Sequence, residues 1–273
     1  MFNPVLEKMR NSVFRAINRH ADESTGPNAR LTASSPSRLC VYCRRQIESW
    51  RPYRTGLAGR SPFLARLETV GSNIERFSCP NCQSTDRERH LHLFFDRLNI
   101  WESIKDANVL HMAPEKHLGE SVRNCKPSLY VGGDLFPTND TIKKIDLEHI
   151  DFPDETFDLV ICNHILEHVD NPKAALGEAH RVLRSGGRFV CQTPFASRLS
   201  AAFEDPLLQS ESDRLFFYGQ EDHLRLFGLD IENLIVAAGF IGRLAPHAEL
   251  LPEIDPELLG VNEREPFFDF VRG

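Results

Sequence analysis

The sequence predicts an α/β fold with a doubly wound, mostly parallel sheet of seven strands, preceded by a small zinc-ribbon-like module. Between residues 108 and 192, short apolar runs rich in Val, Ile, Leu and Phe alternate with helical patterns, which is typical of parallel sheets. Polar residues directly follow several of these runs, and such sheets bind ligands at the carboxyl ends of their strands. Two Cys-x-x-Cys pairs nearer the N-terminus predict the module.

The individual elements can be placed in chain order. A capping box, Thr85-x-x-Glu88, predicts a helix that runs to about Leu98. Further helices are predicted over 172–183 and 229–238, from apolar residues at helical spacing. The predicted strands span 108–112, 130–134, 141–146, 157–163, 188–192, 240–244 and 266–271. The last of these suits an antiparallel position in the sheet.

The chain divides into three parts. Residues 1–37 are expected to form an amphipathic helix, with an apolar stripe over 4–19, and a linker. Residues 38–90 hold the four-cysteine module, and residues 91–273 hold the sheet domain, with an insertion over 195–228. The N-terminal helix is expected to dock on its own domain or on a second copy of the chain, which would make a homodimer. Binding to a membrane surface is the alternative.

Charge is distributed unevenly along the chain. The net charge is −7, but residues 1–92 hold 15 Lys and Arg against 8 Asp and Glu, which leaves 17 against 31 for the remainder. A basic N-terminal part (residues 1–92, the basic front) and an acidic remainder (the acidic body) argue against a uniform nucleic-acid-binding surface. No apolar run approaches the roughly 20 residues that a membrane span needs, and the N-terminus lacks a signal-peptide pattern. We therefore expect a cytoplasmic protein whose cysteines are metal ligands or buried thiols.

Four of the seven cysteines form two pairs, Cys40-x-x-Cys43 and Cys79-x-x-Cys82. Each pair presents two thiolates from one tight turn, and two such turns supply a tetrahedral shell for Zn²⁺. The sequence therefore predicts a structural zinc that stabilises a segment with few core residues. A redox dithiol, or a site that has lost its metal, is the alternative.

Three motifs carry a resemblance to a known family. They are Asp-Leu-Glu-His-Ile-Asp-Phe-Pro-Asp-Glu-Thr-Phe-Asp-Leu-Val over 146–160, Asn-His-Ile-Leu-Glu-His-Val over 163–169, and Arg-Val-Leu-Arg-Ser-Gly-Gly over 181–187. In this order they resemble motifs of class I S-adenosylmethionine-dependent methyltransferases. A closer resemblance is to bacterial members with an N-terminal Cys-x-x-Cys…Cys-x-x-Cys module, with His-Met-Ala-Pro-Glu over 111–115 and Gly-Gln-Glu-Asp-His over 219–223.

The resemblance implies S-adenosylmethionine as cofactor and assigns roles to residues at the strand ends. Asp134 corresponds to the acidic residue that accepts both ribose hydroxyls, a task suited to two carboxylate oxygens. Asp146 and Leu147 correspond to the segment that reads the adenine, and Asn163 lies beside the methionine end. The first loop departs from the family pattern because it lacks glycines, and Glu115 is expected to replace the missing acid near the methionine amino group. The remaining candidate cofactor residues are His111, Ala113, Leu135 and His164.

A histidine-rich run and one distant histidine are candidates for catalysis or metal binding. His164, Glu167 and His168 would share one face of a helix, and with His223 they could hold a second divalent metal, as the resemblance to metal-dependent O-methyltransferases implies. The alternative is a metal-free helix opening. His223 and His168 are also the candidate catalytic residues. His223 is the candidate general base, because histidine suits proton removal near neutral pH; the alternative is a packed loop histidine.

Three functions remain open from the sequence. The first is methyl transfer from S-adenosylmethionine to a hydroxyl of a small molecule or glycan, in which catalysis is mostly alignment of the reacting atoms. The second is methylation of ribosomal or transfer RNA, which the basic front favours and the acidic body and the lack of clustered aromatics oppose. The third is a non-catalytic binding module, which the altered first loop favours.

Overall fold

We analysed a computed structural model, which describes residues 38–54, 56 and 60–273. The predicted N-terminal helix and linker over 1–37 lie outside the described residues. Every helix that the structure describes is too short or too polar to cross a lipid bilayer.

The described chain contains one large sheet and two small two-stranded sheets. The strands are β1 (Arg38–Leu39), β2 (Gln46–Ile47), β3 (Thr69–Val70), β4 (Asn108–Met112), β5 (Leu129–Asp134), β6 (Ile142–Lys144), β7 (Phe157–Ile161), β8 (Leu183–Val190), β9 (Phe195–Ala196), β10 (Phe240–Ala245) and β11 (Phe267–Arg272). The large sheet has seven strands in the order β10-β11-β8-β7-β4-β5-β6. Its strands are parallel except β11, which is antiparallel to both neighbours. The predicted mostly parallel, seven-stranded sheet is confirmed, as is the antiparallel last strand.

The helices lie between these strands. They are α1 (Pro62–Arg66), α2 (Asp86–Arg97), α3 (Ile100–Ile104), α4 (Lys116–Asn124), α5 (Pro172–Val182), α6 (Glu211–Tyr218), α7 (Ile231–Ala237), α8 (His247–Leu250) and α9 (Pro256–Leu259). The capping box that the sequence predicts at the start of α2 is present, because Thr85 and Glu88 each accept a backbone N–H of the other.

Successive residues of the central strands point into two separate cores, one on each face of the sheet. Leu110 of β4 and Val160 of β7 pack with α5 and α7. Val109 and Leu159 pack on the opposite face with α2, α3 and α4. Helices cover both faces, which confirms the doubly wound arrangement.

The four-cysteine module is joined to the rest of the fold at several places. β3 pairs antiparallel with β9 of the insertion, and Arg38 of β1 binds Glu257 of α9. Arg89 of α2 donates to the carbonyl of Gly260 and lies over the ring of Trp50, 4.0 Å from its centroid. The predicted boundary at residues 90 and 91 falls inside α2, so one continuous helix spans it.

Several predicted boundaries shift in the structure, and β7 and β8 end at Ile161 and Val190, two residues before their predicted ends. β8 begins at Leu183, directly after α5, and so includes Gly186 and Gly187, which precede the predicted strand. Its register shifts against β7. α7 begins at Ile231 instead of residue 229, because Leu229 still hydrogen-bonds to the insertion at Leu199.

Candidate functional site

The loop after β4 is closed by hydrogen bonds among its own polar residues and one neighbour. His111 is buried, and its Nε2 donates to Oε2 of Glu115 at 2.8 Å. The other carboxylate oxygen accepts the Nδ2 of Asn163 at 3.1 Å, and Asn163 in turn accepts the backbone N–H of Gln192. The structure therefore brings together three predicted cofactor residues from two neighbouring strand ends.

The backbone of this loop takes a conformation that glycine tolerates best. Ala113 has a φ of 43°, in the left-handed region, and its N–H donates to the carbonyl of Gly133 at 2.7 Å. The loop therefore adopts the left-handed backbone conformation at Ala113 without a glycine. Ala113 remains exposed at the carboxyl edge of the sheet.

Glu115 is held ionised by its partners. Burial alone would raise the pKa of this carboxyl, but the hydrogen bond from His111 and a second one from Asn163 outweigh burial and lower the pKa. A carboxylate at this point can accept a cationic amino group.

Asp134 and Asp146 stand at the ends of neighbouring parallel strands. Asp134 is paired in register with Lys144 of β6, and Asp146 follows two residues later. One oxygen of each carboxylate accepts a nearby backbone N–H, that of Phe136 for Asp134 and that of Glu148 for Asp146. Neither carboxylate forms an ion pair with any described residue, which leaves acceptor capacity at both strand tips.

Apolar side chains lie next to these two carboxylates. Leu135 and Phe136 follow Asp134 and are 44% and 78% exposed, whereas Leu147 is buried. Phe136 is not among the residues predicted from the sequence. The sequence gives a signal for Phe136, because this phenylalanine lies in the loop after the strand end Asp134 and has no core to enter. An exposed aromatic ring beside two acceptors suits a heterocyclic base.

The His164–His168 run is not helical, and this prediction was wrong. Residues 163–169 form successive turns, and His164 has a φ of 55°. The Nδ1 of His164 lies 3.5 Å from Oε1 of Glu167, and the hydroxyl of Thr193 donates to the other oxygen at 2.8 Å. Glu167 is 1% exposed. Sequence reasoning also missed Thr193, which lies just beyond β8.

Turn geometry nevertheless places three of the four predicted metal ligands together. One ligand atom from each of Glu167, His168 and His223 lies within 4.8 Å of the others. The His168 and His223 rings meet edge to face, with centroids 4.7 Å apart. Burial would raise the pKa of Glu167, but the hydrogen bond from His164 and the charges of His223 and His168 lower it to about 2.

His223 is held in one orientation and one tautomer. Its Nδ1 donates to the backbone carbonyl of Tyr218 at 3.0 Å, so the lone pair of the neutral ring lies on Nε2. Burial lowers the pKa of His223, although the charge of Glu167 acts in the opposite direction. The ring is therefore neutral at neutral pH.

Two arginines of the insertion, Arg198 and Arg225, are engaged within the protein. Arg225 is 3% exposed and donates to Glu204 and to the carbonyls of Leu166 and Val169. Arg198 pairs with Glu68, outside the insertion. Arg225 therefore holds the 163–169 turns against the insertion.

The four paired cysteines converge. One sulfur from each lies within 4.8 Å of the others, with Cys40 Sγ 3.6 Å from Cys82 Sγ and Cys43 Sγ 3.8 Å from Cys79 Sγ. Four sulfurs about 2.3 Å from a tetrahedral zinc would be about 3.8 Å apart. The donor set and its spacing therefore fit Zn²⁺.

The two cysteine turns share one backbone geometry. Arg44 and Gln83, each directly after the second cysteine of a pair, have φ values of 55° and 65°. Each donates its N–H to the carbonyl of the first cysteine of its pair. Burial raises the pKa of Cys40 to about 12. Burial would also raise the pKa of Cys82, but hydrogen bonds with Ser84 lower it to about 7.

Comparison with known proteins finds a family match within the sheet domain. Residues 121–191 match the family model of the methyltransferase domain. The resemblance to class I S-adenosylmethionine-dependent methyltransferases is confirmed. Phosphatidylethanolamine N-methyltransferase of Cereibacter sphaeroides is 38% identical over 55 residues, which are 20% of this chain and 27% of that protein. The uncharacterized methyltransferase YcgJ of Bacillus subtilis is 31% identical over 78 residues, 29% of this chain and 28% of that protein.

Both matches are local. The chain spans less than a third of the length of these curated relatives. A solved S-adenosylmethionine-dependent methyltransferase from Mesorhizobium loti is 15% identical, with a TM-score of 0.44, and the match covers 66% of this chain and 96% of that chain.

Proposed function

We propose that the protein transfers a methyl group from S-adenosylmethionine to a hydroxyl of a small molecule or glycan. The observation that carries the cofactor assignment is the set of carboxylates at three adjacent strand ends, Asp134, Asp146 and Glu115. The order of their strands along the sheet edge, β4, β5 and β6, suits the methionine ammonium, the ribose and the adenine amine of one cofactor molecule. The match of residues 121–191 to the methyltransferase domain supports the same assignment.

In this proposal each carboxylate has one task. Asp134 accepts both ribose hydroxyls through the oxygen lone pairs that Phe136 N–H leaves free. Asp146 accepts the exocyclic amine of adenine, and the apolar Leu135 and Phe136 cover the base. Glu115, kept ionised by His111, accepts the ammonium group of the methionine end.

A hydroxyl acceptor must lose its proton as the methyl group arrives, and His223 suits this role. Its neutral ring, with Nδ1 committed to Tyr218, presents a lone pair on Nε2. Methyl transfer forms the oxygen–carbon bond, breaks the sulfur–carbon bond and leaves S-adenosylhomocysteine, while Nε2 takes the hydroxyl proton. Alignment of the acceptor oxygen, the methyl carbon and the sulfur supplies most of the acceleration.

The same ring has a second candidate role, as a metal ligand. Two imidazoles and one carboxylate form a donor set that divalent transition metals accept, and the buried Oε1 of Glu167 has only a long contact among the described residues, 3.5 Å to Nδ1 of His164. A metal there would orient two neighbouring hydroxyls and lower the pKa of one. Mn²⁺ titration followed by electron paramagnetic resonance distinguishes the roles, because a base alone gives no bound-metal spectrum.

We assign the four cysteines to a structural Zn²⁺. The sulfur spacing matches a tetrahedral thiolate shell, and the four ligands fill all of its positions. A closed shell leaves no site for substrate, so the zinc would stabilise the module and take no part in methyl transfer.

Calorimetry with S-adenosylmethionine tests the function. The wild type should bind it, and Asp134→Ala should weaken binding at least about 100-fold, since two hydrogen bonds to an ionised acceptor are lost. Asp140→Ala, which changes an exposed aspartate in the following loop, is the matched control. No heat with the wild type would refute the enzyme and favour a non-catalytic module. Binding of RNA that weakens steeply with added salt would favour RNA as acceptor.

A further inference from the structure

We infer that the four-cysteine module acts as a positioning element for the first cofactor loop, through Glu88 and His117. The inference rests on the proposed S-adenosylmethionine site. Glu88 belongs to α2, at the end of the module, and His117 lies in the first turn of α4, directly after the loop. Two direct hydrogen bonds join these parts of the chain.

The first bond caps α4. The first N–H groups of a helix have no partner within the helix and need an outside acceptor. Glu115 occupies the N-cap position but makes no capping bond with its side chain. Instead, Oε1 of the buried Glu88 accepts the N–H of His117 at 2.8 Å. Because Glu88 caps the helix, the carboxylate of Glu115 is free to face His111 and the cofactor.

The second bond reaches the metal-binding turn itself. Nε2 of His117 donates to the backbone carbonyl of Cys82 at 2.9 Å. Cys82 is one of the four zinc-ligand candidates, and the following residue, Gln83, closes the turn through its bond to Cys79. The position of the Cys82 carbonyl therefore depends on the closed turn, and His117 transmits that position to α4.

A third module residue packs the contact. The ring of Tyr42, which lies between the cysteines of the first pair, is 5.1 Å from the ring of His117. Its hydroxyl donates to the backbone carbonyl of Glu88 at 3.1 Å. The loop from Ala113 is thus fixed at both ends, by β5 at its start and by the module at its end. Glycine-rich loops owe their shape to local backbone freedom, whereas this loop takes part of its shape from a neighbouring module.

The test compares three variants in the full chain. His117→Ala removes the bond to the Cys82 carbonyl, and Glu88→Ala removes the acceptor of the His117 N–H. Each should raise the Kd for S-adenosylmethionine about tenfold. Thr85→Ala is the matched control, because it weakens the cap of α2 yet leaves the Glu88–His117 bond in place. It should lower the melting temperature and keep the wild-type Kd.

Two further readouts separate positioning from general destabilisation. His117→Gln, which retains a donor, should recover affinity relative to His117→Ala. Removal of zinc by a chelator should raise the Kd of the wild type. It should change the Kd of His117→Ala little, because this variant already lacks the hydrogen bond to Cys82. Wild-type Kd values in both variants would overturn the inference. Failure of the wild type to bind would refute the proposed function instead, and hydrogen exchange of residues 113–118, faster in His117→Ala, would still test the contact.

Discussion

Nε2 of His111 donates to Oε2 of Glu115 at 2.8 Å, across a loop that contains no glycine. Tyr130 extends this series of hydrogen bonds on the other side of the His111 ring, with its hydroxyl 3.2 Å from Nδ1 of His111. A carboxylate that accepts Nε2–H leaves the neutral ring with its lone pair on Nδ1, so the Tyr130 hydroxyl donates to it. The loop therefore presents an oriented, ionised carboxylate without the close backbone approach that glycines allow.

The first prediction concerns this carboxylate. Glu115→Gln should raise the Kd for S-adenosylmethionine about tenfold, because a neutral amide loses the attraction to the methionine ammonium. Glu120→Gln, on the exposed face of α4, should have no effect. Isothermal titration calorimetry measures both. An unchanged Kd in Glu115→Gln would assign the ammonium contact to another residue.

The second prediction concerns acid stability. Glu167 has a pKa of about 2 in the folded protein against an ordinary value of 4.5. A lowered folded-state pKa stabilises the fold above pH 4.5, and the contribution disappears as the pH falls from there toward 2. The difference corresponds to roughly 3 kcal/mol. Glu167→Gln should therefore lose stability at pH 7 and show a flatter decline between pH 4.5 and 2.

Urea unfolding at several pH values measures this effect. Glu178→Gln offers a comparison, since its pKa is also lowered, by Arg181 on the surface of α5. A partly exposed pair of that kind contributes much less. Equal slopes of stability against pH in wild type and Glu167→Gln would show that the histidines around Glu167 do not stabilise its charge.

The third prediction concerns the metal of the module. Purified protein should contain about one zinc per chain by elemental analysis, and the double variant Cys79→Ser with Cys82→Ser should contain none. The variant should also melt at a lower temperature, because metal binding contributes directly to the stability of such a segment. Cys125→Ser, outside the cluster, is the control. A stable, metal-free wild type would support the redox dithiol instead.

The sheet could be predicted from sequence because its strands are short apolar runs with polar residues at their ends. Asp134 and Asp146 follow such runs, and parallel pairing then makes them neighbours. The turn at His164 could not be predicted, since spacings of three and four residues are typical of a helix. A helix is prevented here because His164 has a left-handed backbone conformation. In addition, the buried Arg225 donates hydrogen bonds to the carbonyls of Leu166 and Val169.

The contacts between module and loop were also beyond the sequence. Glu88 is recognisable as part of a capping box, but its second oxygen bonds to His117, a residue that only the packing of α2 against α4 brings near. Tertiary packing of this kind leaves no local pattern. By contrast, the hypothesis that His168 and His223 lie close together, as two ligands of one metal, does come from the sequence.

The last prediction separates the two roles of His223. If it is the general base, His223→Ala should lower kcat by about 100-fold or more and leave the Kd for S-adenosylmethionine unchanged. Because burial lowers the pKa of His223, the base stays unprotonated through the neutral range. The wild-type rate should then be flat around pH 7 and fall only below pH 6.5, and the variant should lose this acid limb. If His223 acts as a metal ligand instead, His168→Ala should reduce kcat equally, and added Mn²⁺ should partly restore the activity of either variant.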